Sequence, residues 1–250
     1  MKDQRQNGVQ LVSVITLVFN EATVIEDVLR GLHEAVILRL PGSELIVAED
    51  GSQDGTKEIL QRLEQEIAIR LISGEQRKGY VQAYRDALGL ARHDWVFFSD
   101  SGGKHDPADF WKLHQHIPEY DLVQGSKVNR QDAFYRLLLT RAFNWILNHY
   151  FGVDFHDIDC GFRLFSRQLA LDLQCQDWIF GDLINSELTL RAVYRGYRAK
   201  EVPVSHFARK SGPSRGLPPR KIPRVILQTL RRLPLLKDTL TQPGFRSFRE

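Results

Sequence analysis

Cysteine is nearly absent: Cys160 and Cys175 are the 2 in 250 residues. They are too few for a disulfide framework and lack the spacing of a metal-binding pair, so a reducing compartment is expected. Long hydrophobic runs are missing as well. A bilayer span needs roughly 20 apolar residues, and the long segment 137–151 is broken by Arg141, Asn144, Asn148 and His149. Residues 1–7 are polar and precede too short an apolar run for a secretory signal. The expectation is a cytoplasmic protein that does not cross a membrane, with lying on one still open to it. Neither sign of charge is in large excess: 34 Lys and Arg face 31 Asp and Glu, a net +3, too little to imply a polyanionic partner. Internal repeats and low-complexity segments are also lacking. With 42% hydrophobic residues, the chain can build one large core.

What is present is an alternation of short apolar runs with segments of helical period, the pattern of an α/β domain with a largely parallel sheet. Residues 11–18 read as a β-branched strand. Thr23 and Glu26 have capping-box spacing, and Val24, Ile25, Val28, Leu29, Leu32 and Val36 share one helical face until Pro41-Gly42. The unit repeats as strand 45–48 with a helix carrying Ile59, Leu60, Leu63 and Ile67, and again as strand 69–72 with a helix carrying Tyr80, Tyr84, Ala87, Leu88 and Ala91. Residues 95–98 form a fourth strand, and Asp106-Pro107 reads as a cap with proline at the first helical position. Later elements are a strand at Leu122-Val123, helices over 133–150 and 183–194, and a strand over 199–204. The expected organisation is a tail at 1–10, a domain over 11–208, and a basic loop with an amphipathic helix over 209–250.

Acidic turns recur at predicted strand ends: Asn20-Glu21, residues 49–54, Asp100, and Asp157-Ile158-Asp159. An open α/β sheet binds ligands at its carboxyl edge. Carboxylates gathered there repel one another unless a hydroxyl, a cation or a basic residue sits among them.

Val18-Phe19-Asn20-Glu21 and Glu49-Asp50-Gly51-Ser52-Gln53-Asp54-Gly55-Thr56 together resemble the two opening motifs of family-2 glycosyltransferases. The resemblance implies a Rossmann-like GT-A fold and a nucleotide diphosphate sugar as donor, bound by Asn20, Glu21, Glu49, Asp50, Gly51, Ser52, Lys78, Gly79, Asp100 and Ser101. Asp50 would take the base or ribose, and Arg77 and Lys78 the diphosphate. Asp100-Ser101-Gly102 occupies the place of an Asp-x-Asp motif, implying Mg2+ or Mn2+ on Asp100. Gly102 replaces the second aspartate. Help would come from Asp106, His105 or His206, or Lys104 would supply positive charge directly, or turnover has been lost.

The second half resembles polyprenyl-phosphate sugar synthases. There the segment around Lys127, Arg136 and Thr140 would line the acceptor phosphate, Arg136 and Thr140 sharing a helix face at a spacing of four. Asp157 to Arg163 resembles the family's Gly-Phe-Arg signature, making Asp157 and Asp159 the catalytic candidates. Glu201-Val202-Pro203-Val204 with Arg209 and Ser214 resembles its closing motif over the phosphates. The implied reaction is inverting sugar transfer to a polyprenyl phosphate at the cytoplasmic membrane face. The rivals are transfer to a saccharide hydroxyl, with Asp157 or Asp159 as base, and a nucleotide-sugar-binding protein without turnover. The acid-free basic stretch 209–232 suits anionic lipid headgroups while Val225, Ile226, Leu227, Leu230 and Leu233 touch the bilayer. It has no aromatic residue for stacking, so nucleic acid is not an expected partner. Trp111, Tyr120 and Trp178 read as packing residues, His149 and His156 as structural, and Cys160 lacks a histidine partner.

Overall fold

The computed structural model describes residues 10–117, 119–128, 130, 132, 134–174, 177–208 and 222–242. Its first half repeats a strand–helix unit: β1 (Val12–Val18), α1 (Ile25–Leu32), β2 (Glu44–Glu49), α2 (Thr56–Glu66), β3 (Arg70–Ser73), α3 (Tyr80–Leu90) and β4 (Trp95–Ser99). A 3-10 turn, Pro107–Asp109, leads into α4 (Phe110–His114). The second half runs β5 (Leu122–Val128), α5 (Phe134–Phe151), β6 (Phe162–Ser166), α6 (Arg167–Gln174), α7 (Ile184–Tyr194), β7 (Ala199–Ser205) and α8 (Ile222–Thr241). These strands make a 7-stranded sheet in the order β3-β2-β1-β4-β6-β5-β7.

β1 is buried at every position, because helices cover both faces of the sheet and such strands read as unbroken apolar runs. One core joins Val14, Val47, Phe97 and Phe162 to Ile25, Leu29 and Phe110. The opposite face joins Ile15, Ile46 and Phe98 to Tyr84, Leu169 and Leu188. A third cluster packs Leu233, Leu236 and Leu240 of α8 against Leu147 and Phe151 of α5 and Leu190 of α7. The amphipathic helix expected near the chain end therefore seats one face on the domain.

Two local expectations change and one holds. The capping box does not form: α1 starts at Ile25 with Val24 at the cap and no side-chain cap bond. Glu26 instead bonds Arg30 at 2.9 Å and pairs with Arg62, bracing α1 against α2. Asp106 does cap, its carboxylate accepting from the Ala108 amide at 2.9 Å ahead of a 3-10 turn. The second change is β6, a strand not expected from the sequence, which pairs antiparallel to both β4 and β5.

Arg163 hid this strand by interrupting its apolar run. The side chain is fully buried, and its guanidinium donates to the carbonyls of Cys160 at 2.9 Å and Asn185 at 2.8 Å and to Thr189 Oγ1 at 3.3 Å. It ties the loop entering β6 to the start of α7. Replacing it with leucine strands these buried acceptors, so Arg163→Leu is expected to destabilise the fold by about 3 kcal/mol. Urea denaturation measures this, and an unshifted midpoint would show that the bonds add no net stability.

Candidate active site

A cleft of about 880 Å³ opens at the carboxyl edge of the sheet. Of the candidate residues, Glu21, Asp50, Asp100, Ser101, Lys127, Arg136, Thr140, Asp157 and Asp159 line it. Asn20, Glu49, Gly51, Ser52, Lys78 and Gly79 do not. Arg209 and Ser214 lie outside the described residues.

The non-lining residues build the turns behind the cleft. Parallel pairing sets Val18 beside Glu49, so the loops after β1 and β2 lock together. Asn20, in the left-handed region at φ 54°, accepts from the Gln53 amide at 2.7 Å, and its own amide donates to Ser52 Oγ at 2.8 Å. Glu49 is buried and accepts from the Ser52 amide and from Ser73 Oγ. Gly51 has φ 74°, and a Cβ there would sit 2.6 Å from the Arg77 backbone nitrogen, so only glycine lets the two loops meet. Asp50 then accepts from the amides of Lys78 at 2.7 Å and Gly79 at 3.1 Å. The Lys78 ammonium points elsewhere, to Asp86 at 2.8 Å. Arg77 lies over the Phe19 ring at 4.0 Å, and both line the cleft.

Antiparallel pairing of Ser99 with Phe162 brings the other two acidic turns together. The Asp100 amide donates to the Gly161 carbonyl at 2.9 Å, and a Cβ on Gly161 would lie 2.0 Å from Asp100 Oδ2. The glycine is thus a seat for the carboxylate. Solvent reaches Asp100 through the cleft, but protein surrounds it on its other sides. Desolvation pushes its carboxyl up to about 6 against the opposing pull of Lys127 and Lys104.

The two catalytic candidates are both engaged. Asp157 pairs with Lys127 at 3.2 Å, and Glu201 holds its loop by accepting from the amides of Asp157 at 2.8 Å and His156 at 2.7 Å. Asp159 accepts from the amide and hydroxyl of Ser186 at 3.2 and 2.9 Å, capping the first turn of α7, and burial raises its carboxyl above the ordinary range. Burial also pushes the Cys160 thiol up to about 12, so it is no nucleophile.

Arg130 and Asp132 had no signal in the sequence because they follow β5 without periodicity or motif, and they join Lys104 and His206 in a further cluster. Asp132 bonds Arg130 at 2.9 Å and lies 3.7 Å from Lys104 and 4.0 Å from His206 Nδ1. All four line the cleft. Burial lowers the His105 and His206 imidazoles to about 3 and about 4, leaving both neutral. His206 Nδ1 is buried without a hydrogen-bond partner.

The protein's own ligands for a divalent cation are few, and Mg2+ is commonly held by one or two carboxylates together with substrate phosphates. Hard cations need several oxygen ligands, and Asp100 has no second carboxylate at Gly102. Asp106 is spent on its cap. Among the described residues no group of three or more His, Cys, Asp or Glu could hold a metal ion, and Lys104, Lys127 and Arg130 line the same cleft.

The family model described as Glycosyl transferase family 2 matches residues 13–173. The chain is 32% identical over 208 residues to Glycosyltransferase AglD of Haloferax volcanii, covering 77% of this chain and 32% of that protein, most of which has no counterpart here. It is 27% identical over 220 residues to Polyprenol monophosphomannose synthase of Mycolicibacterium smegmatis, covering 81% of this chain and 79% of that protein. Among solved structures, glucosyl-3-phosphoglycerate synthase of Mycobacterium tuberculosis, crystallised with Mn2+, UDP and phosphoglyceric acid, matches with TM-score 0.68 and 22% identity, over 90% of this chain and 78% of that one. The fold is accordingly the expected GT-A, with a mostly parallel sheet.

Asp100 is expected to titrate near pH 6, and Lys127→Met to move that midpoint upward, as read by carboxyl-carbon NMR. Because the folded value exceeds the unfolded one of 3.8, protonation favours the fold, and this group's contribution falls as pH rises from 3.8 to about 6. A wild-type midpoint near 3.8 would contradict the desolvation. Gly161→Ala is expected to fold while displacing the Asp100 carboxylate, visible as a changed Asp100 midpoint in the same titration.

Proposed function

The chain belongs to glycosyl transferase family 2, and from that premise we propose that it moves a sugar from a nucleotide diphosphate to a polyprenyl phosphate at the cytoplasmic face of a membrane. The observation that carries this reading is the two-part lining of the cleft. Its sheet-edge end holds Asp50, Asp100, Lys127 and Asp157, and its other end is an apolar groove of Leu139, Phe143 and Ile146 from α5 with Val225, Ile226 and Leu230 from α8. Arg136 and Thr140 belong to the same wall of α5. An anionic headgroup on an isoprenoid tail matches that division.

The chemistry follows from what the carboxylates are doing. A saccharide hydroxyl needs a base within reach, but Asp157 is paired to Lys127 and Asp159 is bonded to Ser186. A phosphate acceptor is already an anion. Its oxygen attacks the anomeric carbon opposite the leaving group, and the new C–O bond forms as the C–O bond to the β-phosphate breaks. The electron pair departs on the nucleoside diphosphate, configuration inverts, and no proton need move. Glu21 and Asp50 serve the nucleoside, Arg77 and Lys127 the phosphates, and Asp157 orients Lys127.

Membrane contact fits the exposed side of α5. Phe134 is 77% exposed, Leu138 57% and Trp145 67%, and Leu235 of α8 is 57% exposed. Arg136 and Arg141 accompany them, the composition of a helix lying in a lipid interface. No helix among the described residues is long and apolar enough to cross a membrane.

Assays of radiolabelled nucleotide sugars with polyprenyl phosphate in vesicles are expected to show transfer, and soluble glycans none. Arg136→Ala should raise the acceptor concentration needed by at least about tenfold, the loss of one charge-assisted bond, with nucleotide affinity unchanged. Transfer to glycans but not to lipid phosphate would overturn the reading. Replacing Phe134 and Trp145 together by serine is expected to reduce cosedimentation with anionic vesicles while leaving thermal unfolding in place.

A further inference from the structure

We propose that the donor diphosphate is neutralised by Lys104 and Arg130, backed by Lys127, so that donor binding does not require a divalent cation. This rests on the donor reading above and concerns how the chain meets the charge of that ligand. A nucleoside diphosphate needs concentrated positive charge beside it, more so as the leaving oxygen gains an electron pair.

The turn after β4 has Gly102 where an Asp-x-Asp turn would place its second carboxylate, and it carries an ammonium at Lys104. Relative to an Asp-x-Asp turn without that lysine, the local charge is more positive by two, the charge of one divalent ion. The neighbouring wall adds Arg130. The acid facing these two cations is Asp132, 2.9 Å from Arg130 and 3.7 Å from Lys104. One carboxylate shared between two cations leaves one positive charge uncompensated. Asp157 is paired with Lys127 at 3.2 Å, and Asp159 is bonded to Ser186 at 2.9 Å.

His206 adds an independent pointer. It is 6% exposed, lines the cleft beside Asp132, and its Nδ1 has no hydrogen-bond partner. As the neutral Nδ1–H tautomer it donates one bond to a phosphate oxygen brought in by Lys104 and Arg130. Lys104 is held to this set only by a long ion pair with Asp132, at 3.7 Å. An ammonium on a flexible stem can leave that pair for an incoming diphosphate.

The test is calorimetric titration of the full chain with UDP and with GDP, each in EDTA, in Mg2+ and in Mn2+. At least one nucleotide is expected to bind in EDTA with a Kd within twofold of its value in Mn2+. Lys104→Met is expected to weaken that binding at least tenfold in every buffer, and Lys104→Arg to retain it, with thermal unfolding reporting the fold of each variant. Wild-type binding that weakens more than tenfold in EDTA and returns with Mn2+ overturns the proposal while sparing the donor reading. Failure of both nucleotides to bind in any buffer overturns the donor reading and this proposal with it. The wild-type comparison decides the matter even where a variant does not fold.

Discussion

A carboxylate resting on bare backbone sets the centre of this molecule. Asp100 ends one strand and Gly161 precedes its antiparallel neighbour, and the contact between them leaves no room for a Cβ. Through that contact the turn after β4 and the loop before β6 become one surface. The loop is held from behind by Arg163, from the side by Glu201, and by α7 through Asp159 and Ser186. Each of these bonds is buried or half-buried, so each costs much more to break than a surface pair would. The position of Asp100 is therefore inherited from bonds to three different elements.

The sheet's first half was legible because strands covered on both faces must be continuously apolar, as in β1, β2 and β4. β6 was not, because a buried arginine saturated by backbone carbonyls looks like a surface residue in a sequence. The failed capping box shows the same limit at a helix start: Thr23 and Glu26 have the right spacing, but the glutamate is turned to Arg30 and Arg62 instead. The motifs located the cleft without distinguishing the residues that line it from those that shape it. Asp50 faces inward, and its neighbour Glu49 is enclosed one residue away because successive side chains leave a strand on opposite sides. Asp132 and Arg130 carried no pattern at all, since their meeting with Lys104 and His206 is purely tertiary.

The cleft also joins two solvents. Its polar end works by electrostatics strengthened in a half-excluded pocket, and its apolar end, between α5 and α8, gains from removing hydrocarbon from water. α8 contributes to both the groove and the third core, through Val225 and Ile226 on one side and Leu233, Leu236 and Leu240 on the other. Anchoring the groove wall in the domain core keeps its distance from the charged end constant.

Asp132 brings a kinetic consequence. A cation cluster with no resident carboxylate would hold a spent nucleotide tightly and empty slowly. Here an internal anion competes for the same ammonium and guanidinium groups, so each cation has a partner to fall back on when the ligand leaves. If the proposed donor binds here, affinity for the outgoing product would thereby be lowered in advance, and vacating the pocket would be an exchange of ion pairs instead of the exposure of bare charge.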